Sequence, residues 1–301
     1  MRRTGFQWVA LALLMLTLQA CQRPGPGPGP DSDTAAASAP AGAADDSPGA
    51  LMAQVFAGWK ADAPHAVDMP AEPGSPEKTS RVLVSPMQVI ALDADHRALV
   101  VAGPLDGGRG EPVDGHATGA SVSVYGFERR DGRWFATFAR PALTWTGFFG
   151  TPGELKQQAL APGRVALSIE NGSCWQGFCG SWVEVFGVTA AGVQPLFNER
   201  IATSAAGAVE GCSEWLEGKK ADAAEASLTA DNCFDIQGTW RFEAATGTGW
   251  PDAVLTFTGT EAAQEPPGAP LTRRTIDEQR VLRHDGTTYR PLHGRNPTHD
   301  I

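Results

Sequence analysis

The residues of this chain whose types could do chemistry are five cysteines, six histidines and two knots of aromatic residues. Four of the cysteines, Cys174, Cys179, Cys212 and Cys233, form an even set, and an even set pairs as disulfides where the compartment is oxidising. Three pairings are possible, of which the sequence-local one, Cys174 with Cys179 and Cys212 with Cys233, is preferred. In the chain-entropy picture the short loop is worth about 2 kcal/mol and the longer about 3.4 kcal/mol. Zinc is the rival use of four thiols, but Cys-x4-Cys followed far away by Cys-x20-Cys lacks the tight paired spacing of structural zinc modules. The histidines, His65, His96, His116, His284, His293 and His299, fall mostly in expected loops or the tail and form no His-Glu-x-x-His pair. There is no Gly-x-Ser-x-Gly elbow, and the glycine run Gly107–Gly110 is followed by neither a helix nor Lys-Ser/Thr. The sequence therefore predicts no catalytic residue, no metal, no cofactor and no enzyme.

The fifth cysteine has a different context. Arg2 and Arg3 precede a nearly unbroken apolar run from Phe6 to Leu18, too short to span a bilayer comfortably, which is the layout of an export signal. It ends in Leu18-Gln19-Ala20-Cys21, which resembles the lipobox of bacterial lipoproteins. The resemblance implies cleavage before Cys21, a diacylglyceryl group on its sulfur and acylation of the new amine. At about 0.8 kcal/mol per buried methylene, more than one acyl chain makes such anchoring stable. In that family an Asp directly after the cysteine retains the protein in the inner membrane. Gln22 stands there, so the resemblance points to the outer membrane, facing the periplasm, with the inner membrane or a soluble periplasmic form as alternatives.

After Cys21 the prolines at 24, 26, 28 and 30 alternate with glycine, favouring extended backbone and removing donors that a helix or strand needs. From Asp31 to Ala50 there is no large apolar side chain to offset the entropy of ordering. Residues 21–50 read as a lipidated cysteine and a disordered tether, reaching about 30 Å. Removing residues 1–20 takes away Arg2 and Arg3 and no acid, so a formal charge of -10 becomes -12. Such acidity excludes nucleic acid as a partner class and suits a basic protein.

These groups need elements to hold them. Residues 51–301 carry short Val-, Phe-, Trp- and Thr-rich runs bounded by Gly, Pro and Asp, the strand-and-turn pattern of an all-β domain. Helical periodicity is confined to Leu51–Lys60, Glu154–Leu160 and the Ala, Glu and Lys stretch Glu214–Ala226. Three similar units line up. Each opens with a buried-type strand, at Ala98, Val165 and Ala253, and closes with a hairpin, turning at Asp131-Gly132, near Gly192 and at Asp285-Gly286. The expectation is an antiparallel meander of about three four-stranded units, propeller-like or an incomplete propeller, with a β-sandwich as the alternative and insertions at 209–235 and 261–278. "DADHRALVVAG" from Asp93 also weakly resembles the start of an FG-GAP or VCBS-type propeller repeat. Asp93 and Asp95 match, but Arg97 stands where a third oxygen ligand belongs, so an ordinary turn is expected.

Two aromatic loops are the candidate working surface. In "SCWQGFCGSW" a Cys174–Cys179 bridge would pin a tight loop displaying Trp175 and Phe178. "TWTGFFGTPG" from Thr144 offers Trp145, Phe148 and Phe149. Rigid aromatic rings are what interfaces use as anchors, and the competing placement folds them into the core. The sequence thus predicts a membrane-anchored, non-catalytic protein-binding or envelope-associated lipoprotein. The alternative is an inhibitor, similar in general design to immunity lipoproteins that block peptidoglycan-cleaving enzymes with an exposed loop.

Overall fold

The computed structural model describes residues 42–75, 77–219, 227–243 and 249–301. Cys21 and the tether up to residue 41 lie outside the described residues, as do residues 220–226 of the expected third helix. Residues 42–50, assigned to the tether by composition, belong to the body. Ala43 is buried and exchanges backbone hydrogen bonds with Trp134 (2.8 and 2.9 Å), and Asp46 accepts from Arg97 Nε at 2.8 Å. Helix α1 (Pro48–Val55) starts with the Ser47 hydroxyl accepting from the Ala50 N–H and a proline in its first turn, and it buries Leu51 and Met52 completely. Those two side chains supply the hydrophobic surface that the Pro/Gly/Ala composition upstream lacks.

A short hairpin, β1 (Ala66–Pro70) with β2 (Thr79–Leu83), precedes twelve antiparallel strands. The first four, β3 (Ser85–Ala91), β4 (His96–Pro104), β5 (Ala120–Arg130) and β6 (Arg133–Thr146), form one sheet. The next four are β7 (Glu154–Ala161), β8 (Arg164–Trp175), β9 (Phe178–Thr189) and β10 (Gly192–Ser204). After the short helix α2 (Cys212–Leu216) come β11 (Phe234–Phe242), β12 (Ala253–Ala263), β13 (Thr272–His284) and β14 (Tyr289–His293). The second and third sets join through β10 and β11, over the three pairs Ala202 to Gln237, Thr203 to Ile236 and Ser204 to Asp235, into one eight-stranded sheet.

Of the middle four strands, β8 and β9 are covered on both faces, and period-two alternation shows how. Val165, Leu167, Ile169, Phe186 and Val188 pack against Ile90, Val100, Val122 and Val124 of the first sheet. From the other face Ala166, Val183, Val185 and Leu196 pack against Ile236, Leu255, Phe257, Ile276 and Leu282 of the last four strands. The outer face of the first sheet (Leu99, Val101, Tyr125, Phe127) is closed by Leu51 and Met52 from α1, by Phe56 just after it, and by Met69 and Val82 from the β1–β2 hairpin. On the outer face of the last four strands Gln237, Thr239, Thr258, Thr275 and Asp277 are exposed and polar, while Val254, Val281 and Ala262 are buried. Terminal layers with polar outer faces end such stacks. No closed propeller or barrel is formed among the described residues.

Three expectations are corrected. Glu154–Leu160 is strand β7, not helix: helix propensity is a weak prior, and the ladder to β8 from Glu154–Glu170 to Ala161–Arg164 overrides it. The helix expected over Glu214–Ala226 is, in its described part, α2, which starts earlier and ends at Leu216. Of the insertion 261–278, strands β12 and β13 claim all but 264–271. Asp93 sits in an ordinary turn, accepting from the Asp95 N–H at 2.9 Å and contacting His96 Nδ1 at 2.9 Å. No three His, Cys, Asp or Glu side chains converge as a metal site among the described residues, and no described helix is long and apolar enough to cross a membrane.

The chain's last residues run back over β10 and β12. Asn296 donates to Glu199 and to the Arg200 carbonyl (2.9 Å each). His299 stacks flat on Phe234 (centroids 4.0 Å) with its Nε2 2.7 Å from the Glu261 carboxylate, and Arg200 ties down the His299 carbonyl and Asp300. Glu261 is buried and answered again by Arg274. This strap delivers Ile301 to the aromatic surface described next.

Candidate functional site

The β8–β9 hairpin tip is Trp175-Gln176-Gly177-Phe178. Gln176 (φ 50°) and Gly177 (φ 86°) both take left-handed backbone, the geometry of a two-residue turn that matches strand twist. Position 177 has no room for a side chain, since a Cβ there would lie 2.3 Å from the backbone of Gly207. Trp175 and Phe178 form the last cross-strand pair, and one step behind them Cys174 and Cys179 are bonded with Cα atoms 4.0 Å apart. The second bond joins Cys212 to Cys233, so both preferred pairings are formed. The tip is thus a stapled hairpin end whose Trp175 is 62% exposed and Phe178 38% exposed.

Two loops from the first sheet meet this tip. The loop after β6 brings Phe148 and Phe149, the latter 54% exposed. The loop between β4 and β5 brings His116, whose ring lies 4.9 Å from both Phe149 and Trp175, centroid to centroid. Strand β9 adds Trp182, on the same face as Phe178 because the side-chain period is two, and 6.2 Å from Phe148. Gly180 between them keeps that face open, as a Cβ there would strike the Trp182 ring at 2.6 Å. His116, Phe148, Trp175, Phe178 and Trp182, together with Ser173 and Ile301, line a cavity of about 260 Å³.

Three of the four partner-binding residues expected from sequence, Trp175, Phe178 and Phe148, therefore converge. Trp145 does not: its Nε1 donates to the Pro70 carbonyl at 3.0 Å, and its ring packs on the core beneath β1. His116, Trp182 and Ile301 were not foreseen. Trp182 was legible from alternation along β9, whereas His116 and Ile301 arrive from distant segments and carried no local signal.

His116 Nε2 approaches the Ser173 hydroxyl (2.9 Å) and the Cys174 carbonyl (3.1 Å). These contacts tie the loop between β4 and β5 to the hairpin. No protein family, curated protein or solved structure matches this chain.

Proposed function

We propose that this chain is a lipid-tethered, non-catalytic binding module of the bacterial envelope, outer-membrane anchored and facing the periplasm, whose aromatic hairpin tip docks a protein. The supporting observation is the tip itself: two large rings held outward by a turn, a disulfide and a backing loop, so that little freedom is lost on contact. The acidic charge of -10 over the whole chain favours a basic partner. The three four-stranded sets, packed face to face, read as an incomplete propeller presenting this tip at one end.

A second reading has one specific observation in its favour. A narrow, stapled hairpin end suits insertion into an enzyme cleft, which is the inhibitor design against peptidoglycan-cleaving enzymes. The test is affinity capture of envelope proteins on the intact lipoprotein, beside Trp175→Ala and Phe178→Ala versions. One partner lost with both substitutions supports docking through the tip, and a partner that hydrolyses peptidoglycan and is inhibited in solution supports the second reading. Equal capture by all three proteins removes the tip from both.

A further inference from the structure

We propose a second binding site, for a small oxyanion, in the groove where the three strand sets meet at the far end of β9. At about 3.3 Å per residue, the twelve residues of β9 put this groove about 36 Å along the strand from the aromatic tip. The groove encloses about 570 Å³, the size of a small-ligand pocket, and draws its walls from all three sets. Arg140 comes from β6, Arg164 and Thr189 from the paired ends of β8 and β9, Gln194 from β10, and Trp250 and His284 from the last set.

In a chain with ten more acids than bases, this groove gathers two guanidinium groups and no carboxylate. Arg164 is fixed: its Nη1 donates to the Gly249 carbonyl at 2.7 Å, and its guanidinium lies over the Trp250 ring, 5.0 Å from the centroid. Trp250 is fixed in turn, filling the space above Gly187, where a Cβ would meet its ring at 2.4 Å. Arg140 is exposed and makes no ion pair among the described residues. Asp285, the acid beside His284, does not neutralise the pair, because its carboxylate accepts from the Thr287 and Thr288 N–H groups and from Arg290. The guanidinium fork of Arg140 matches two oxygens of one phosphoryl group, and Arg164 adds a second positive charge on a rigid support.

The test titrates inorganic phosphate into the intact, detergent-solubilised protein by calorimetry, with Arg140→Gln and Arg164→Gln versions and Arg140→Lys as the charge-keeping control. Saturable binding that weakens at least tenfold in Arg140→Gln, and less in Arg140→Lys, supports the site. Arg140 is exposed, so its substitution leaves the fold intact, and a thermal melt verifies this. Titration of glycerophosphoglycerol, the deacylated headgroup of phosphatidylglycerol, against inorganic phosphate separates a lipid phosphate from a free one without involving the acyl anchor. Headgroup binding that is tighter than phosphate binding and that Arg140→Gln abolishes supports the site with a lipid headgroup as its source. Absence of saturable binding of both ligands, or binding that neither arginine substitution weakens, overturns it.

Discussion

Trp175 and Trp145 show how one residue type serves opposite ends. The two indoles stand near the ends of strands β6 and β8, yet Trp175 stands out of the surface at 62% exposure while Trp145 donates its N–H to the Pro70 carbonyl and packs on the core of the first sheet. Trp175→Ala removes no buried contact from the core, so stability should change by no more than about 0.5 kcal/mol. Trp145→Ala leaves a void and an unanswered carbonyl at Pro70 and should cost about 2 to 3 kcal/mol. Urea denaturation of the two variants checks both values. A large loss in Trp175→Ala would mean the tip is part of the core. From sequence the two tryptophans could not be told apart, because orientation depends on strand register and on β1, which reaches Trp145 from seventy-five positions away.

At the scale of elements, the two disulfides do different work. Cys212 to Cys233 spans twenty-one positions and holds α2 against β11 and β12 through Trp215, Leu228 and Ala262, whereas Cys174 to Cys179 closes a turn that backbone pairing already defines. Removing the first, as a Cys212→Ala, Cys233→Ala pair, should cost about 3.4 kcal/mol, and removing the second about 2 kcal/mol. Thermal melting gives the order. Hydrogen exchange should show the second loss confined to residues 173–180, with the tip rings freed and partner capture reduced. Gly177→Ala is the backbone counterpart. It forces a side chain into left-handed geometry and onto Gly207, and it should lower stability by at least about 1 kcal/mol. The hairpins were legible because Asp-Gly turns and alternation are local signals, and both Asp131-Gly132 and Asp285-Gly286 lie where strands reverse. Strand β7 was not, since "ELKQQALA" has one pairing neighbour and no alternating stripe, so only the β8 ladder decides its state.

For the whole molecule, the central strands were legible as buried because both their faces are apolar, but how the sets join was not. The short β10–β11 seam rests on three residue pairs, and the strap that covers it comes from the chain's last residues. Two kinds of titrating group act on this assembly, and their signs agree. Burial, with the Arg164 charge beside it, holds the His284 pKa below its ordinary value. The unfolded chain therefore takes up its proton first, and stability falls as pH drops below about 6.5, levelling once the folded imidazole also protonates. Arg283 beside Asp252 and Arg295 beside Glu278 hold those carboxyls low, through contacts of 2.6 Å each. Their contribution is full above the ordinary carboxylate range near pH 4 and is lost as pH falls through the lowered folded values. The expected profile is flat above neutrality, a shallow decline through about pH 6 and a steeper one below about pH 4.5. Urea midpoints measured across pH 3 to 8 trace it. His284→Phe should remove the shallow upper decline and leave the lower one, because Phe keeps the ring among Trp250 and Tyr289 without a proton to bind. An upper decline that survives in His284→Phe would assign it to another histidine. Raising salt should blunt only the lower limb, since those ion pairs meet solvent and His284's loss of stability is a desolvation effect.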